Sequence, residues 1–295
     1  MDNRYYIFMQ VLQSGSFTKA AETLGYSQSA VSQSIRSLEK ELFVVLLERG
    51  RDGLVLTKDG EQYLPYIQAI VADEQALSQK QQEMQGLVHA KIRIGTFTSV
   101  SRNILPQLMK EFREVYPDVS LDLLQGDYNS IADDILSGKL DFGFVSPDFV
   151  HDLETVDLFQ DTMMAVLPEN HPLANKKSVS LKDLESEPFI ELDEGESSVA
   201  LEAFDKAGLK PHEFYKVTDD YSILSMIRLG LGYSLLYQTV LAGYSTGVAV
   251  LPIKEEFHRT IALAWRSHDT LPLAAQRFAD MIRERTPLIV DEMEL

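Results

Sequence analysis

Between Ser16 and Leu42 the apolar positions recur at helical spacing in two short runs separated by a turn. Phe17, Ala20, Ala21 and Leu24 share one face of the first run, and Val31, Ile35, Leu38 and Leu42 share one face of the second. Ser16 and Ser27 stand where the two runs need N-caps, and Gly25-Tyr26 supplies the turn. An earlier helix, about Arg4 to Ser14, brings Ile7, Phe8, Val11 and Leu12 to close a three-helix core. Two short apolar strands follow, Leu46-Leu47 and Leu54-Val55-Leu56, around an Asp52-Gly53 turn, and predict a hairpin.

From Lys58 to about Gln85 the pattern predicts one long helix. Tyr63, Ile67, Ile70, Glu74, Leu77, Gln81 and Met84 alternate at spacings of four and three, a heptad seam with two polar interruptions. Nothing in the segment itself covers such a seam, so Tyr63, Ile67, Ile70, Leu77 and Met84 are expected to face a second copy of the chain, the alternative being the chain's own next domain. Pro65 should bend the helix early, and Gly86 ends it.

Beyond Lys91, strands and helices alternate. Strands are expected at 92–95, 119–124, 141–145, 189–191, 215–217, 233–236 and 248–251, with helices between, which argues for an α/β fold with a parallel sheet. The chain therefore divides into 1–58, a linker helix at 59–88, and an α/β unit at 89–295. The α/β unit reads as two lobes, 91–160 joined by 267–295, and 161–266.

Polar chemistry gives the helical pair a purpose. Opposite its apolar stripe the second helix carries Gln28, Ser29, Ser32, Gln33 and Arg36. Amide, hydroxyl and guanidinium tips on one helix face are suited to base edges in a major groove. Ser16, Thr18, Arg49, Arg51 and Lys58 are the expected phosphate contacts, three of them cations at or just beyond the hairpin tip. The pattern is a winged helix-turn-helix, and DNA is the leading partner.

The net charge of −18 runs against binding a polyanion, but it is unevenly placed. Residues 1–60 hold 7 basic and 7 acidic side chains, so the whole excess lies in 61–295. A neutral reading unit attracts phosphates weakly, which again favours a dimer. No cysteine is present, excluding disulfides and thiolate chemistry. Neither a signal peptide nor an apolar run of about 20 residues is visible, so a cytoplasmic protein is expected.

No constellation supports catalysis. Gly243-Tyr244-Ser245-Thr246-Gly247 spells a nucleophile elbow, but a helix is expected before it and a strand after it, the reverse of that device. The six histidines are scattered, with no spacing suited to a metal, and no cofactor is expected.

The run GSFTKAAETLGYSQSAVSQSIRSLEKEL, the LLER and LTKDGEQYL that follow, and the long domain behind them resemble the LysR-type transcriptional regulators. The resemblance covers nearly the whole chain. It departs at Ser29, where the family often has proline, at Gln33, often arginine, and at Phe43, usually glycine. It implies a C-terminal periplasmic-binding-protein-like (type II) effector domain with a ligand cleft between its lobes. Ser99, Tyr128 and Ser146 match places where members often touch effector. Strand-to-helix corners in both lobes extend the candidate set to Thr98, Ser101, Glu194, Ser197 and Thr218. The expected effector is a small polar metabolite. Hydroxyls and Arg102 favour an anion, whereas Asp127, Glu194, Glu196 and Asp219 repel one, and a ligand bearing an amine answers both.

The reading is a dimeric or tetrameric regulator of dyad-symmetric operator DNA, whose ligand changes DNA bending or the access of RNA polymerase. The alternative is a cytoplasmic small-molecule receptor or an enzyme domain carrying a DNA-binding module.

Overall fold

The structure is a computed structural model that describes residues 4–50, 53–83, 90–193 and 198–293. Helices α1 (Arg4–Ser14), α2 (Phe17–Leu24) and α3 (Gln28–Leu42) bury Phe8, Val11, Ala20, Val31, Ile35 and Leu38 in one core. The caps fall where the sequence puts them: Ser16 accepts from the Lys19 amide at 3.5 Å and Ser27 from the Ala30 amide at 3.2 Å.

Helix α3 ends on Phe43, whose φ of 58° and ψ of 29° lie in the left-handed region that glycine enters without steric cost. Its ring is 93% exposed, so no packing offsets the strain. Phe43→Gly is expected to raise stability by about 0.5–1 kcal/mol, the relief of strain exceeding the added freedom of the unfolded chain. A urea midpoint that stays put would argue against strain at this cap.

Strands β1 (Leu47–Gly50) and β2 (Gly53–Leu56) form the expected antiparallel hairpin, Leu47 opposite Leu56 and Gly50 opposite Gly53. It is anchored at both its base and its tip. The Glu39 carboxylate accepts from the amides of Leu46 and Leu47 at 2.9 and 3.3 Å, and the Leu54 amide donates to the Gly15 carbonyl.

Helix α4 (Lys58–Glu83) carries Pro65 in its interior. Its seam is not the one expected. Ile67 and Val71 are buried in the N-terminal core and Tyr63 packs against it, so Tyr63 and Ile67 serve their own copy. Further along, Ala72 lies against Gly138, and Asp73 pairs with Arg266 at 3.1 Å. The apolar face left open is Tyr66, Ile70 and Leu77, at 71%, 38% and 52% exposure. Met84 lies outside the described residues.

The first lobe contains β3 (Lys91–Thr96), α5 (Thr98–Asn103), α6 (Leu105–Val115), β4 (Ser120–Gln125), α7 (Tyr128–Leu136) and β5 (Phe142–Val145). Strands β4, β3 and β5 are parallel, as expected. On β3 and β5, Gly95 and Gly143 sit side by side, and a Cβ on either would come within 2.7 Å of Ile131. Their bareness lets α7 press onto the sheet.

Beyond β5 the parallel expectation holds only in part. Strand β6 (Glu154–Pro168) pairs antiparallel with a late strand that returns from the second lobe. The second lobe builds on the end of β6 with α8 (Leu181–Leu184), β7 (Pro188–Leu192), α9 (Val199–Lys206), β8 (His212–Val217) and α10 (Asp220–Arg228). It continues through β9 (Ser234–Tyr237), α11 (Gln238–Leu241) and β10 (Val248–Pro252). Strands β9 and β10 pair antiparallel with Met163–Pro168 of β6, while β7 and β8 are parallel.

The returning strand is β11 (His258–Trp265), which also pairs with β5. Ile261, Leu263 and Trp265, expected in the second lobe, pack with Phe142 in the first-lobe core. The reason is topological: β6 and β11 are the two strands by which the chain passes between lobes. Helix α12 (Leu273–Asp291) returns to the first lobe through Phe278 and Ile282, as expected.

Candidate functional site

The N-terminal unit presents a polar helix face to solvent. Gln28, Ser29, Gln33 and Arg36 are exposed and Ser32 half-buried, opposite the buried Val31, Ile35 and Leu38. Thr18 and Lys58 are exposed, and the Ser16 hydroxyl is engaged as a cap. Arg49 is described through its backbone alone, and Arg51 lies outside the described residues.

Between the lobes lies a cavity of about 970 Å³. Of the expected effector contacts, Thr98, Ser99, Tyr128 and Thr218 line it. Ser101 does not: its hydroxyl donates to the Thr98 carbonyl and accepts from the Gln125 amide. Ser146 is buried away from the lining, its hydroxyl without a partner. Glu194 and Ser197 lie outside the described residues.

Arg102 is also turned away from the cavity. Its guanidinium lies 3.5 Å from the centroid of the Tyr221 ring and 4.5 Å from that of Tyr244, and it donates to the Tyr244 hydroxyl. A first-lobe arginine is thus spent on contacts with the second lobe. Asp219 proves to be a helix cap, accepting from the Ser222 amide at 2.7 Å. Asp127 caps α7 in the same way through Ser130; burial pushes its carboxyl up, but the hydrogen bonds, led by those from Ser130, together outweigh burial and hold it below the usual range.

The centre of the cleft is a residue that periodicity does not single out. Arg259 on β11 stands directly across from Asp161 on β6, and both are buried. Nε and Nη2 of Arg259 donate to one Asp161 oxygen at 3.0 and 2.7 Å. Nη1 donates to the Tyr128 hydroxyl at 2.9 Å and Nη2 to the Ser99 hydroxyl at 3.1 Å. Asp161 also accepts from the Thr239 amide and hydroxyl. The guanidinium lies 3.8 Å from the centroid of the Tyr237 ring, within cation–π range. Burial opposes its charge, but Tyr128, Asp161 and Tyr237 more than compensate and hold its pKa above the ordinary arginine value. One side chain therefore ties first-lobe Ser99 and Tyr128 to second-lobe Tyr237 and Thr239.

Asp220, beside the capping Asp219, is a further miss. As one of a pair of adjacent acids it looks like a solvated face, yet it is half-buried in the cavity wall. Burial pushes its carboxyl up to about 6, Arg259 pulling it down and Asp219 adding to the rise.

A polar helix presented to solvent, a hairpin beside it, one long helix and a two-lobed cavity define a DNA-binding module joined to a small-molecule receptor domain. Residues 3–61 match the bacterial regulatory helix-turn-helix protein, lysR family, and residues 85–287 match the LysR substrate binding domain. The chain belongs to the LysR family of transcriptional regulators. It is 34% identical to the uncharacterized HTH-type transcriptional regulator YvbU of Bacillus subtilis (strain 168), over 94% of this chain and 96% of that one. It is similar to a full-length OxyR variant from Pseudomonas aeruginosa, with a TM-score of 0.74, 26% identity, and 96% and 93% of the two chains covered. The effector binding domain of QuiR in complex with shikimate aligns with 68% of this chain and 98% of its own length, at a TM-score of 0.59 and 26% identity. The family and its matched members are transcriptional regulators rather than enzymes. Among the described residues no helix is long and apolar enough to cross a membrane.

Proposed function

We propose that this regulator acts in the cytoplasm on operator DNA of dyad symmetry as a dimer or tetramer. Gln28, Ser29, Ser32, Gln33 and Arg36 read base edges, and Ser16, Thr18, Arg49, Arg51 and Lys58 hold phosphates. The observation that carries this reading is the polar face of α3, set opposite a buried stripe on a capped helix. The open face Tyr66, Ile70 and Leu77 supports pairing with a second copy. Two copies would present reading helices about 34 Å apart or a multiple of that. A small polar metabolite in the cleft, with Thr98, Ser99, Tyr128 and Thr218 among its contacts, biases one arrangement of the assembly and so the access of RNA polymerase. That the similar effector binding domain of QuiR is in complex with shikimate supports a small molecule as the ligand of this domain.

The test is sequencing of genomic fragments retained by the purified protein at physiological salt against random competitor. One or a few inverted repeats are expected. No enrichment, with or without added metabolite extract, would overturn the reading. On the enriched site Gln33→Ala is expected to lower affinity by about 1–3 kcal/mol and leave random DNA unaffected. Arg51→Ala should weaken both and reduce the salt slope by about one. Equal losses on both DNAs for Gln33→Ala would remove its reading role.

A further inference from the structure

The charges lining the cleft are unequally matched. Its one arginine, Arg259, has the fork that would grip a ligand carboxylate already closed on Asp161. Asp193 is answered by Lys216 at 3.3 Å, and the Asp127 carboxylate is used on Ser130. Asp133, Asp152 and Asp220 remain, lining the cavity with no ion pair among the described residues, against the exposed His151. Of these Asp220 is the half-buried one, so it bears a desolvation cost that the pull of Arg259 does not offset and no ion-paired cation answers. The facing first-lobe wall is aromatic: Phe97 meets Tyr128 edge-on at 5.3 Å, and Tyr128 stacks on Phe149 at 5.5 Å.

An anionic effector would enter this cleft against three unmatched carboxylates with its obvious cation occupied. A positively charged one would remove the unfavourable burial of Asp220 and lay its carbon body on the aromatic wall. Resting on the regulator reading above, we propose that the effector bears a primary ammonium and that Asp220 is the residue that selects it. Arg259 then acts as the cleft's internal strut, and Ser99 and Tyr128 hold polar groups at the far end of the ligand.

The experiment is isothermal titration of the full chain near neutral pH with three four-carbon probes: putrescine, γ-aminobutyrate and succinate. Putrescine and γ-aminobutyrate are expected to bind at least about tenfold more tightly than succinate. Asp220→Asn should lose about tenfold or more of the affinity for putrescine while changing that for succinate less than about twofold. The same change at Asp118, exposed and outside the cavity, should do nothing to either. A preference for succinate, no binding of any probe up to about 10 mM, or equal effects at Asp118 and Asp220 would overturn the proposal. Operator retention by the same preparations separates the two claims. Its loss in the wild type sinks the regulator reading, while its survival in Asp220→Asn shows that the variant is folded.

Discussion

Arg259→Met is expected to lower the stability of the effector domain by about 3–5 kcal/mol, the cost of leaving a buried partner charge unanswered. Asp161 is 2% exposed and loses two charge-assisted hydrogen bonds, keeping only the Thr239 amide and hydroxyl. Tyr128 and Ser99 lose their donor at the same time, so both lobes are affected. The single tryptophan, Trp265, lies in the first-lobe core and on the same strand, and its fluorescence during urea unfolding reports the change. The double variant Arg259→Met/Asp161→Leu should recover a large part of the loss, because it removes the stranded carboxylate. A double variant as unstable as the single one would show that the guanidinium contributes through packing and the Tyr237 stack instead of through its charge.

How far the sequence discloses this molecule depends on how local each interaction is. Caps, turn and hairpin of the N-terminal unit were legible because Ser16, Ser27 and Gly25 act within four residues of themselves. Glu39, which fixes the hairpin from seven residues away, was not. In the effector domain Arg259 and Asp161 are 98 residues apart and meet only because β11 returns antiparallel to β6. Their one trace in the sequence is a charge within the polar segment that borders an apolar run, in HRTIALAW and in LFQDTMMAV. Such a charge must find a partner if the run is buried. The same spacing logic that found a seam on α4 selected a face that mixes two destinations, since helical periodicity cannot say which neighbour a stripe meets.

That mixture gives the second large effect. Ile67→Ala should destabilise the N-terminal unit by about 2–4 kcal/mol, the usual cost of cutting a buried aliphatic side chain back to a methyl group. Ile67 is 2% exposed and packs in the core that also holds Phe8 and Val31. Leu77 is 52% exposed in the single chain, so Leu77→Ala removes much less that one copy buries for itself. If the open face meets a second copy, the two variants differ in their dependence on concentration. The loss for Ile67→Ala is the same at every protein concentration, whereas the loss for Leu77→Ala appears through weakened self-association and fades as concentration rises. Unfolding midpoints taken across a hundredfold range of protein, beside sedimentation of the same samples, distinguish the two. A concentration-independent loss at Leu77 would place that side chain against its own chain and move the contact between copies off α4.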